Sequence, residues 1–265
     1  NSRSLHNFEM IVKKLALATL LAATAMSANA YQTELGASIT HVSPDVGNNA
    51  TGLSIDGTHY LVPVQNIAGQ PYNEQDFLQN ASEVHGTASY VSESDTKVTS
   101  VGVGGVYYIP NTSFAAVADV QHVRLKFDGI DGTENANVTR LGAGYKPMNN
   151  LLLQAGAVYA KDGSDSDTAP YVGAKYLTKV GMNDMALSGD LALGDVKNLN
   201  LGLDYYLDPS FSVGAGYNNV DAGESNADAF SIRAKKFFQP NLSVEGSAAF
   251  GDDAETFSIR GAYRF

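Results

Sequence analysis

Residues Ala254 to Phe265 read AETFSIRGAYRF, and this stretch decides the fold. Apolar or small residues occupy every odd position from Phe257 onward, and Arg260 and Arg264 stand among the even positions. Successive side chains of a strand point to opposite faces, so the pattern predicts a strand with one apolar face and one polar face.

The same alternation recurs along the chain. Apolar residues occupy the odd positions from Leu199 to Leu207, Asp208-Pro209-Ser210 is a turn signal, and residues 211–217 alternate again. Two such runs joined by a tight turn predict a β-hairpin. Short turns containing Pro or Asn alternate with longer, acidic connections, which is typical of outer-membrane barrels with their short turns on the periplasmic side.

These repeats predict an all-β fold, a transmembrane antiparallel up-and-down β-barrel with both termini in the periplasm. We expect 14 strands, with 12 or 16 as alternatives, because the pattern leaves the pairing of residues 68–82 open. Residues 70–80 do not alternate, so we predict a periplasmic connection with one helical turn there, and no loop is identified that folds into the lumen. The expected strand centres are Gly36, Gly57, Ala88, Gly104, Ala118, Gly142, Ala155, Ala174, Leu191, Leu203, Ala215, Arg233, Gly246 and Arg260.

Closure of the sheet is expected because an open strand edge in hydrocarbon leaves N–H and C=O groups unpaired, at several kcal/mol each. The mean hydropathy of −0.14 fits such a barrel, in which only alternate residues meet lipid. Aromatic residues near strand ends predict girdles at the membrane interfaces: Tyr107, Tyr145, Tyr159, Tyr205, Phe238, Tyr263 and Phe265.

The beginning of the chain has the pattern of an export signal. Met10 to Lys14 is short and basic, Leu15 to Met26 is apolar, and Ala28-Asn29-Ala30 has the form of a signal peptidase site. We therefore expect residues 1–30 to comprise an upstream extension and a cleavable signal peptide, and residues 31–265 to form the barrel. A membrane-anchoring helix is the alternative, but the apolar stretch is shorter than the ~20 residues of a span.

Composition excludes several functions. Without residues 1–30, the chain keeps 27 of its 28 acidic and 14 of its 17 basic side chains, which argues against nucleic acid as a partner. The absence of cysteine excludes disulfides, a thiolate nucleophile and Cys-ligated metal. We expect no cofactor and no metal site, since Asp162 to Asp167 lacks the EF-hand spacing.

The whole mature chain resembles the small general porins of Gram-negative gammaproteobacterial outer membranes. The resemblance rests on the signal peptide, immediate entry into a strand at Tyr31, turns marked by Pro, acidic outer loops and the terminal Tyr263-Arg264-Phe265. It implies passive diffusion of small hydrophilic solutes and ions across the bacterial outer membrane. Tyr263 and Phe265 resemble the C-terminal targeting signal of outer-membrane barrels, which implies lipid, lipopolysaccharide and the barrel-assembly machinery as partners.

Charged residues opposite the apolar set are the candidate pore lining, because Arg or Lys on the lipid face costs roughly 2 to 4 kcal/mol near the midplane. A wet, open lumen is the favoured interpretation, and interior salt-bridge networks that block it are the alternative. The candidates are Glu34, Asp56, Asp119, Arg140, Lys175, Asp190, Asp204, Arg233, Lys235, Glu245, Arg260 and Arg264.

Sixteen of the 27 mature acidic residues lie in the predicted outer loops. They predict either a negative vestibule that gives weak cation preference, or carboxylates that share divalent cations with lipopolysaccharide, or simply solvated loops.

No enzymatic motif is present, because none of the four mature histidines, His41, His59, His85 and His122, stands in a known catalytic context. A non-conducting structural or adhesive barrel and a ligand-selective channel remain alternatives to a diffusion porin. The early first strand argues against a plug of the kind that ligand-selective channels carry. A homo-oligomer is also open, since the pattern does not separate an oligomer interface from the lipid face.

Overall fold

The computed structural model describes residues 30–93, 96–127, 133–163, 165–221 and 226–265, without the side chain of Phe127. The predicted signal peptide lies outside the described residues, except for Ala30, which begins the first strand. The acidic loop residues Asp95, Asp128, Asp131 and Glu224 also lie outside them.

The described chain forms 14 antiparallel strands in one closed barrel, in which each strand pairs with its neighbours in sequence. The predicted fold class and strand number are confirmed, and every expected strand centre lies within a strand. The strands are β1 (Ala30–Pro44), β2 (Ala50–Gln65), β3 (Glu83–Glu93), β4 (Thr96–Tyr108), β5 (Phe114–Phe127), β6 (Thr133–Met148), β7 (Leu151–Asp162), β8 (Asp165–Val180), β9 (Asn183–Leu193), β10 (Lys197–Asp208), β11 (Phe211–Asp221), β12 (Asn226–Gln239), β13 (Leu242–Gly251) and β14 (Ala254–Arg264).

The barrel closes between its first and last strands. β14 pairs with β1 from Glu34 opposite Arg264 to Pro44 opposite Ala254. Beyond this ladder, the backbone N–H groups of Gln32 and Thr33 both donate to the carbonyl oxygen of Phe265, each at 2.9 Å. The last residue therefore satisfies the backbone of the first strand at the end of the seam that carries both termini, which is the predicted periplasmic end.

The pairing register sorts the side chains into an outer and an inner set. Ile39 lies opposite Ile259, and Ile259 lies opposite Gly246, so the odd positions of β14 share the outer face with neighbouring strands. Large apolar residues of this face are exposed, among them Leu141 (58%) and Ile259 (66%). An apolar face of this kind needs lipid, whereas the inner face carries the polar set.

Strands extend further into the outer connections than the sequence indicates. Residues 162–169 have the polar, acidic composition of an outer loop, but β7 runs to Asp162 and β8 begins at Asp165. Asp165 and Asp167 therefore lie on a strand, where pairing with Asp162 and Ala160 on β7 continues the ladder. The polar composition suggests a loop where the strands in fact continue. A strand that projects beyond the membrane needs no apolar face.

Residues 66–82, between β2 and β3, form a plug inside the periplasmic end of the barrel. They contain a 3-10 turn (Tyr72–Glu74) and the helical turn α1 (Gln75–Leu78), which follow Pro71. The expected helical turn is confirmed, and the connection lies inside the lumen, where the sequence identified no loop. Within the described residues, no helix is long and apolar enough to cross a membrane.

Candidate functional site in the barrel lumen

All twelve candidate pore residues occupy inner-face positions in the pairing register. Their surroundings differ with depth. Some form ion pairs that lie along the wall above the plug, and others contact the plug itself.

Arg260 lies along the wall across three strands. Its Nε donates to Asp56 Oδ1 on β2 at 2.9 Å, and its Nη2 donates to Glu34 Oε1 on β1 at 2.9 Å. Gly36 of β1 makes room for this arrangement, because a Cβ there would lie 2.5 Å from Arg260 Nη2 and 2.7 Å from Asp56 Oδ1. The guanidinium therefore lies flat over a glycine instead of projecting into the lumen.

Arg233 and Asp204 repeat this arrangement. Arg233 Nε and Nη2 donate to the two carboxylate oxygens of Asp204 at 2.7 and 2.6 Å, a bidentate pair between β12 and β10. Gly214 of β11 lies between them in the same row of the ladder. A Cβ at Gly214 would lie 2.9 Å from Arg233 Nε and 2.7 Å from the carbonyl oxygen of Leu203.

A third pair joins His85 to Asp119, and the sequence did not identify His85 as part of it. His85 Nε2 is 3.0 Å from Asp119 Oδ1, and both flank Gly104 in one ladder row. A Cβ at Gly104 would lie 2.7 Å from His85 Nε2. One sequence feature could have identified this pair: the inner-face Gly104 of β4 lies between polar inner-face residues of the two neighbouring strands.

Arg140 makes the fourth arrangement of this kind. Its guanidinium carbon lies 3.9 Å from the ring centroid of Tyr171, a cation–π contact between β6 and β8. Gly156 of β7 leaves the space, since a Cβ there would lie 2.7 Å from Tyr171 Cε1. Charged side chains above the plug thus pair along the wall over glycines, and not across the lumen.

Two further candidate lining residues, Asp190 and Glu245, also have polar partners on the barrel wall. Asp190 accepts a hydrogen bond from Asn200 Nδ2 at 3.0 Å, on the wall formed by β9 and β10. Glu245 Oε2 is 3.6 Å from Lys235 Nζ, between β13 and β12.

Three candidates contact the plug. Lys175 Nζ is 2.7 Å from Glu74 Oε2, Lys235 Nζ donates to Asn73 Oδ1 at 2.7 Å, and Arg264 Nη1 donates to the carbonyl oxygen of Tyr72 at 2.8 Å. These cations lie on β8, β12 and β14, and they hold the plug by its 3-10 turn. Arg264 also donates through Nε to Glu34 at 2.6 Å, which links the plug to the seam of the barrel.

Lys146 is a further plug contact that the sequence did not single out. Its ammonium donates to the carbonyl oxygen of Phe77 and to the side chain of Asn80, and it lies 4.1 Å from the Phe77 ring centroid. The alternation of β6 already placed Lys146 on the inner face near the periplasmic turn. What the sequence lacked was any indication that a plug lies opposite it.

The plug is anchored by an apolar cluster. Phe77 packs with Leu152, Leu177, Ala186 and Tyr206 from β7 to β10, and all five side chains are buried. Hydrogen bonds extend the contacts to β2 through Gln79 and Gln65, and to β4 through Ser82 and Tyr108.

The centre of the plug is inaccessible to solvent. Glu74 is 1% exposed and Gln75 is 0% exposed, although both are polar. Tyr206 donates its hydroxyl to Glu74 Oε1 at 2.6 Å, and Gln75 Nε2 donates to the carbonyl oxygen of Ile67. Contacts reach β2, β4, β6 to β10, β12 and β14, so the plug lies across the periplasmic end of the lumen.

Strand irregularities coincide with this end of the barrel. The ladder shifts between Tyr31 and Thr33, Tyr145 and Met148, Tyr206 and Asp208, and Phe237 and Gln239. Bulges bend a strand and re-aim its side chains. Here they accompany the buried inner-face residues that surround the plug: Tyr31, Lys146, Tyr206 and Phe237.

The outer half of the lumen is acidic. Inner-face carboxylates near the outer ends of the strands are Glu93, Glu134, Asp162, Asp165, Asp167 and Asp190. The inner-face arginines Arg140, Arg233 and Arg260 lie deeper, near the middle of their strands. The periplasmic half instead carries the cations that hold the plug. The lumen is therefore polarised along its axis.

In the described part of the chain, no cluster of three or more His, Cys, Asp or Glu residues could hold a metal ion. His85 contacts the two carboxylates of Asp119 and Glu83, at 3.0 and 3.3 Å.

A family model described as "Putative general bacterial porin" matches residues 9–169. The chain belongs to this family of porins. It is an outer-membrane β-barrel of bacteria, and its family and fold are those of a channel rather than an enzyme.

Three solved structures are similar to this chain to different degrees. Omp33 of Acinetobacter baumannii is 20% identical with a TM-score of 0.68, and the match covers 90% of this chain and 100% of that chain. The KdgM porin in complex with disordered oligogalacturonate is 11% identical with a TM-score of 0.45, covering 87% and 99%. OprB of Pseudomonas putida, in a low-pH structure, is 10% identical with a TM-score of 0.47, covering 89% and 92%. No curated protein matches the sequence.

Proposed function

We propose that this porin passes small hydrophilic solutes and ions by passive diffusion, and that displacement of the plug sets its conductance. The observation that carries the proposal is the contrast between the two ends of the lumen. Above the plug, charged pairs lie along the wall over Gly36, Gly104, Gly156 and Gly214. At the periplasmic end, one segment lies across the lumen, and its Glu74 and Gln75 are inaccessible to solvent.

The twelve inner-face residues would form the polar lining of this pathway. Wall pairs such as Arg260 with Asp56 leave the axis to water, which favours an open lumen over a blocked network above the plug. A non-conducting structural barrel has no need of glycines that keep ion pairs flat against its wall.

Weak cation preference is part of the proposal. The acidic inner-face residues of the outer half raise the local concentration of cations, because a charged cleft with low-dielectric walls focuses its field. The cations near the plug, Lys146, Lys175, Lys235 and Arg264, are engaged with plug atoms or with Glu34 and Glu245, which reduces their opposition to cation flow.

Planar bilayer recordings would test this function. Refolded wild-type protein should show small or brief conductance steps, and a variant with residues 69–79 replaced by a short Gly/Ser turn should show larger, long-lived steps. In a salt gradient, both should give a reversal potential of the sign for cation preference. Absence of conductance in both proteins, with the barrel folded, would overturn the porin function for this chain. An anion-selective reversal potential would overturn the proposed cation preference, but not the proposed channel function.

A ligand-selective channel is the second candidate, and the plug favours it. The sequence argued against this alternative from the early first strand, but the segment between β2 and β3 provides a plug within the barrel. A solute that competes for Lys175 or Lys235 would release Glu74 and Asn73 of the plug. Such a channel would show conductance that rises on addition of one class of solute, which a general diffusion pore would not.

The proposal also covers export of the chain and assembly of the barrel in the outer membrane. Removal of residues 1–30 on export would leave the barrel of residues 31–265, and the C-terminal strand with Tyr263 and Phe265 would be recognised by the barrel-assembly machinery. The two rings lie stacked, with centroids 6.3 Å apart, at the periplasmic end of the seam. The lumen is complete within one chain, so the proposed function needs no homo-oligomer.

A further inference from the structure

Arg140 on β6 differs from the other inner-face arginines in its partners. Arg233, Arg260 and Arg264 each donate hydrogen bonds to a carboxylate. Within the described residues, no carboxylate forms an ion pair with Arg140, and its Nε is buried without a hydrogen-bond acceptor. The guanidinium carbon instead lies 3.9 Å from the ring centroid of Tyr171. The positive charge of Arg140 therefore has an aromatic partner but no anionic one.

An acidic residue stands next to Arg140 in the ladder but turns away from it. Asp119 on β5 lies directly opposite Arg140, in a position where Cβ atoms are about 4.5 to 5.5 Å apart. The carboxylate of Asp119 extends over Gly104 to His85 Nε2, at 3.0 Å. Arg140 extends in the opposite direction, across β7 to Tyr171 on β8. Two opposite charges in adjacent positions thus have different partners.

The ring of Tyr171 is held in a fixed place beside the guanidinium. Tyr171 is 2% exposed and lies over the backbone of two glycines, Gly142 and Gly156. A Cβ at Gly142 would collide with the hydroxyl group, and a Cβ at Gly156 would lie 2.7 Å from Cε1. A cation–π contact with the ring face leaves the N–H groups at the edge of the guanidinium plane directed away from the ring. The packing therefore presents Arg140 as a positioned donor.

The wall beside Arg140 is apolar, although the inner face of the barrel is largely polar. Four inner-face residues in the row of Arg140 and in the next row outward are Val or Ala. We call them the apolar strip: Val138 on β6, Val158 and Ala160 on β7, and Ala169 on β8. Arg260, by contrast, has the hydroxyl residues Ser38 and Ser258 beside it. The two valines of the strip are half-buried, so a solute in the lumen can contact them.

The combination of Arg140 and the apolar strip selects one kind of solute. A carboxylate accepts two parallel hydrogen bonds from a guanidinium, which fixes its orientation as well as its position. An apolar group attached to that carboxylate would leave water on contact with the strip, which is favourable. Because Arg140 is already positioned by Tyr171, little side-chain freedom is lost on binding. A simple inorganic anion would use the charge alone.

We propose that Arg140 and the apolar strip form a binding site for small organic carboxylates with an apolar body, entered from the extracellular side above the plug. The inference rests on the proposed function for its role, since it names a class of solute for the same lumen. The acidic residues of the outer half disfavour anions, and Arg140 gives a carboxylate a favourable position within this field. Asp167, next to the strip, accepts a hydrogen bond from the backbone N–H of Asp195 at 3.0 Å.

Fluorine NMR titration of folded protein in detergent would test the site without measuring current. The probe is 4-fluorobenzoate, 4-fluorobenzamide is its uncharged counterpart, acetate is a competing carboxylate with a much smaller apolar body, and protein-free micelles give the blank. The test variants are Arg140→Gln, and Val138→Ser/Val158→Ser, which keeps the arginine. The matched control is Arg124→Gln, which removes the same side chain from an exposed outer-face position of β5. The heat-modifiable gel shift checks that each variant is folded.

Wild type and Arg124→Gln should bind 4-fluorobenzoate with similar affinity. Arg140→Gln should lose about tenfold or more, because a charged hydrogen-bond donor is removed, and the serine variant should lose about threefold. Equal loss in Arg124→Gln, or equal binding of 4-fluorobenzamide by wild type, would overturn the site. Displacement by acetate at equal concentration would overturn the requirement for an apolar body, and with it the proposed class. Binding of the probe by a barrel that never conducts would instead overturn the porin function and keep the site.

Discussion

Lys175 on β8 places its ammonium 2.7 Å from a carboxylate oxygen of Glu74, at the centre of the plug. The other oxygen of Glu74 accepts the hydroxyl hydrogen bond of Tyr206 on β10, at 2.6 Å. One carboxylate thus ties the plug to two strands. The side chain of Glu74 is 2% exposed, whereas that of Lys175 is 34% exposed. Water in the lumen can therefore hydrate Lys175 if the plug moves.

Glu74→Gln should loosen the plug. The amide oxygen can still accept from Tyr206, but Lys175 loses its counter-ion. Hydrogen bonds to charged groups contribute about 1.5 to 3 kcal/mol, so the closed state should become roughly tenfold less populated or more. Single-channel recordings should show a higher open probability. Asp76→Asn removes the same charge from the plug but keeps the Glu74 contacts, and an equal rise there would assign the effect to net charge.

Gln75→Cys should report the plug position directly, since the natural chain has no cysteine. Gln75 is 0% exposed, so its thiol should react slowly with a charged thiol reagent in the closed state. Addition of Glu74→Gln should speed the reaction, because the plug then leaves the lumen more often. Met182→Cys, on a turn where the residue is 95% exposed, is the fast control. A Gln75→Cys thiol as reactive as that control would show that the plug does not shield its centre.

The sequence predicts the barrel well and the plug poorly, and one physical reason explains both. Strand pairing and the lipid boundary act on every second residue, so Phe257 to Phe265 and Leu199 to Leu207 carry the fold in a periodic signal. Closure follows from that signal together with the cost of an open strand edge in hydrocarbon, and the strand number follows to within two.

The plug depends on contacts between residues far apart in sequence. Glu74 and Tyr206 are separated by 132 positions, and Asn73 and Lys235 by 162. The segment itself shows only an interruption of the alternation. The alternation of residues along each strand identified the inner-face cations. Alternation does not tell whether the ammonium of Lys175 faces water or the carboxylate of Glu74.

Arg260→Gln should make the pore more cation-selective. The change removes one positive charge from the wall and leaves Glu34 and Asp56 less neutralised. The reversal potential in a salt gradient should shift in the direction of cation preference. Arg260→Gln/Asp56→Asn restores the net charge and should return the reversal potential toward wild type. An unchanged potential in the single variant would remove this wall pair from the permeation pathway.

Gly214→Val should destabilise the barrel more than Gly246→Val. A Cβ at Gly214 would lie 2.7 Å from the backbone oxygen of Leu203, whereas nothing lies within 4 Å of one at Gly246. Overpacking of this kind costs typically about 1 to 3 kcal/mol. Urea unfolding followed by the heat-modifiable gel shift of the folded barrel should give a lower midpoint for Gly214→Val. Equal midpoints would mean that Arg233 and Asp204 move aside without cost.

Deletion of Phe265 should impair closure of the barrel more than Phe265→Ala. The carbonyl oxygen of Phe265 accepts from the N–H groups of Gln32 and Thr33, and its own N–H donates to Thr33, all at 2.9 Å. The alanine variant keeps these backbone bonds and loses only the ring that stacks on Tyr263. Refolding into lipid vesicles should therefore be slowed by the deletion and nearly normal with alanine. In cells, where the assembly machinery would recognise the aromatic residue, both variants should accumulate poorly. Normal refolding of the deletion variant would show that the seam needs only the ladder from Glu34 to Pro44.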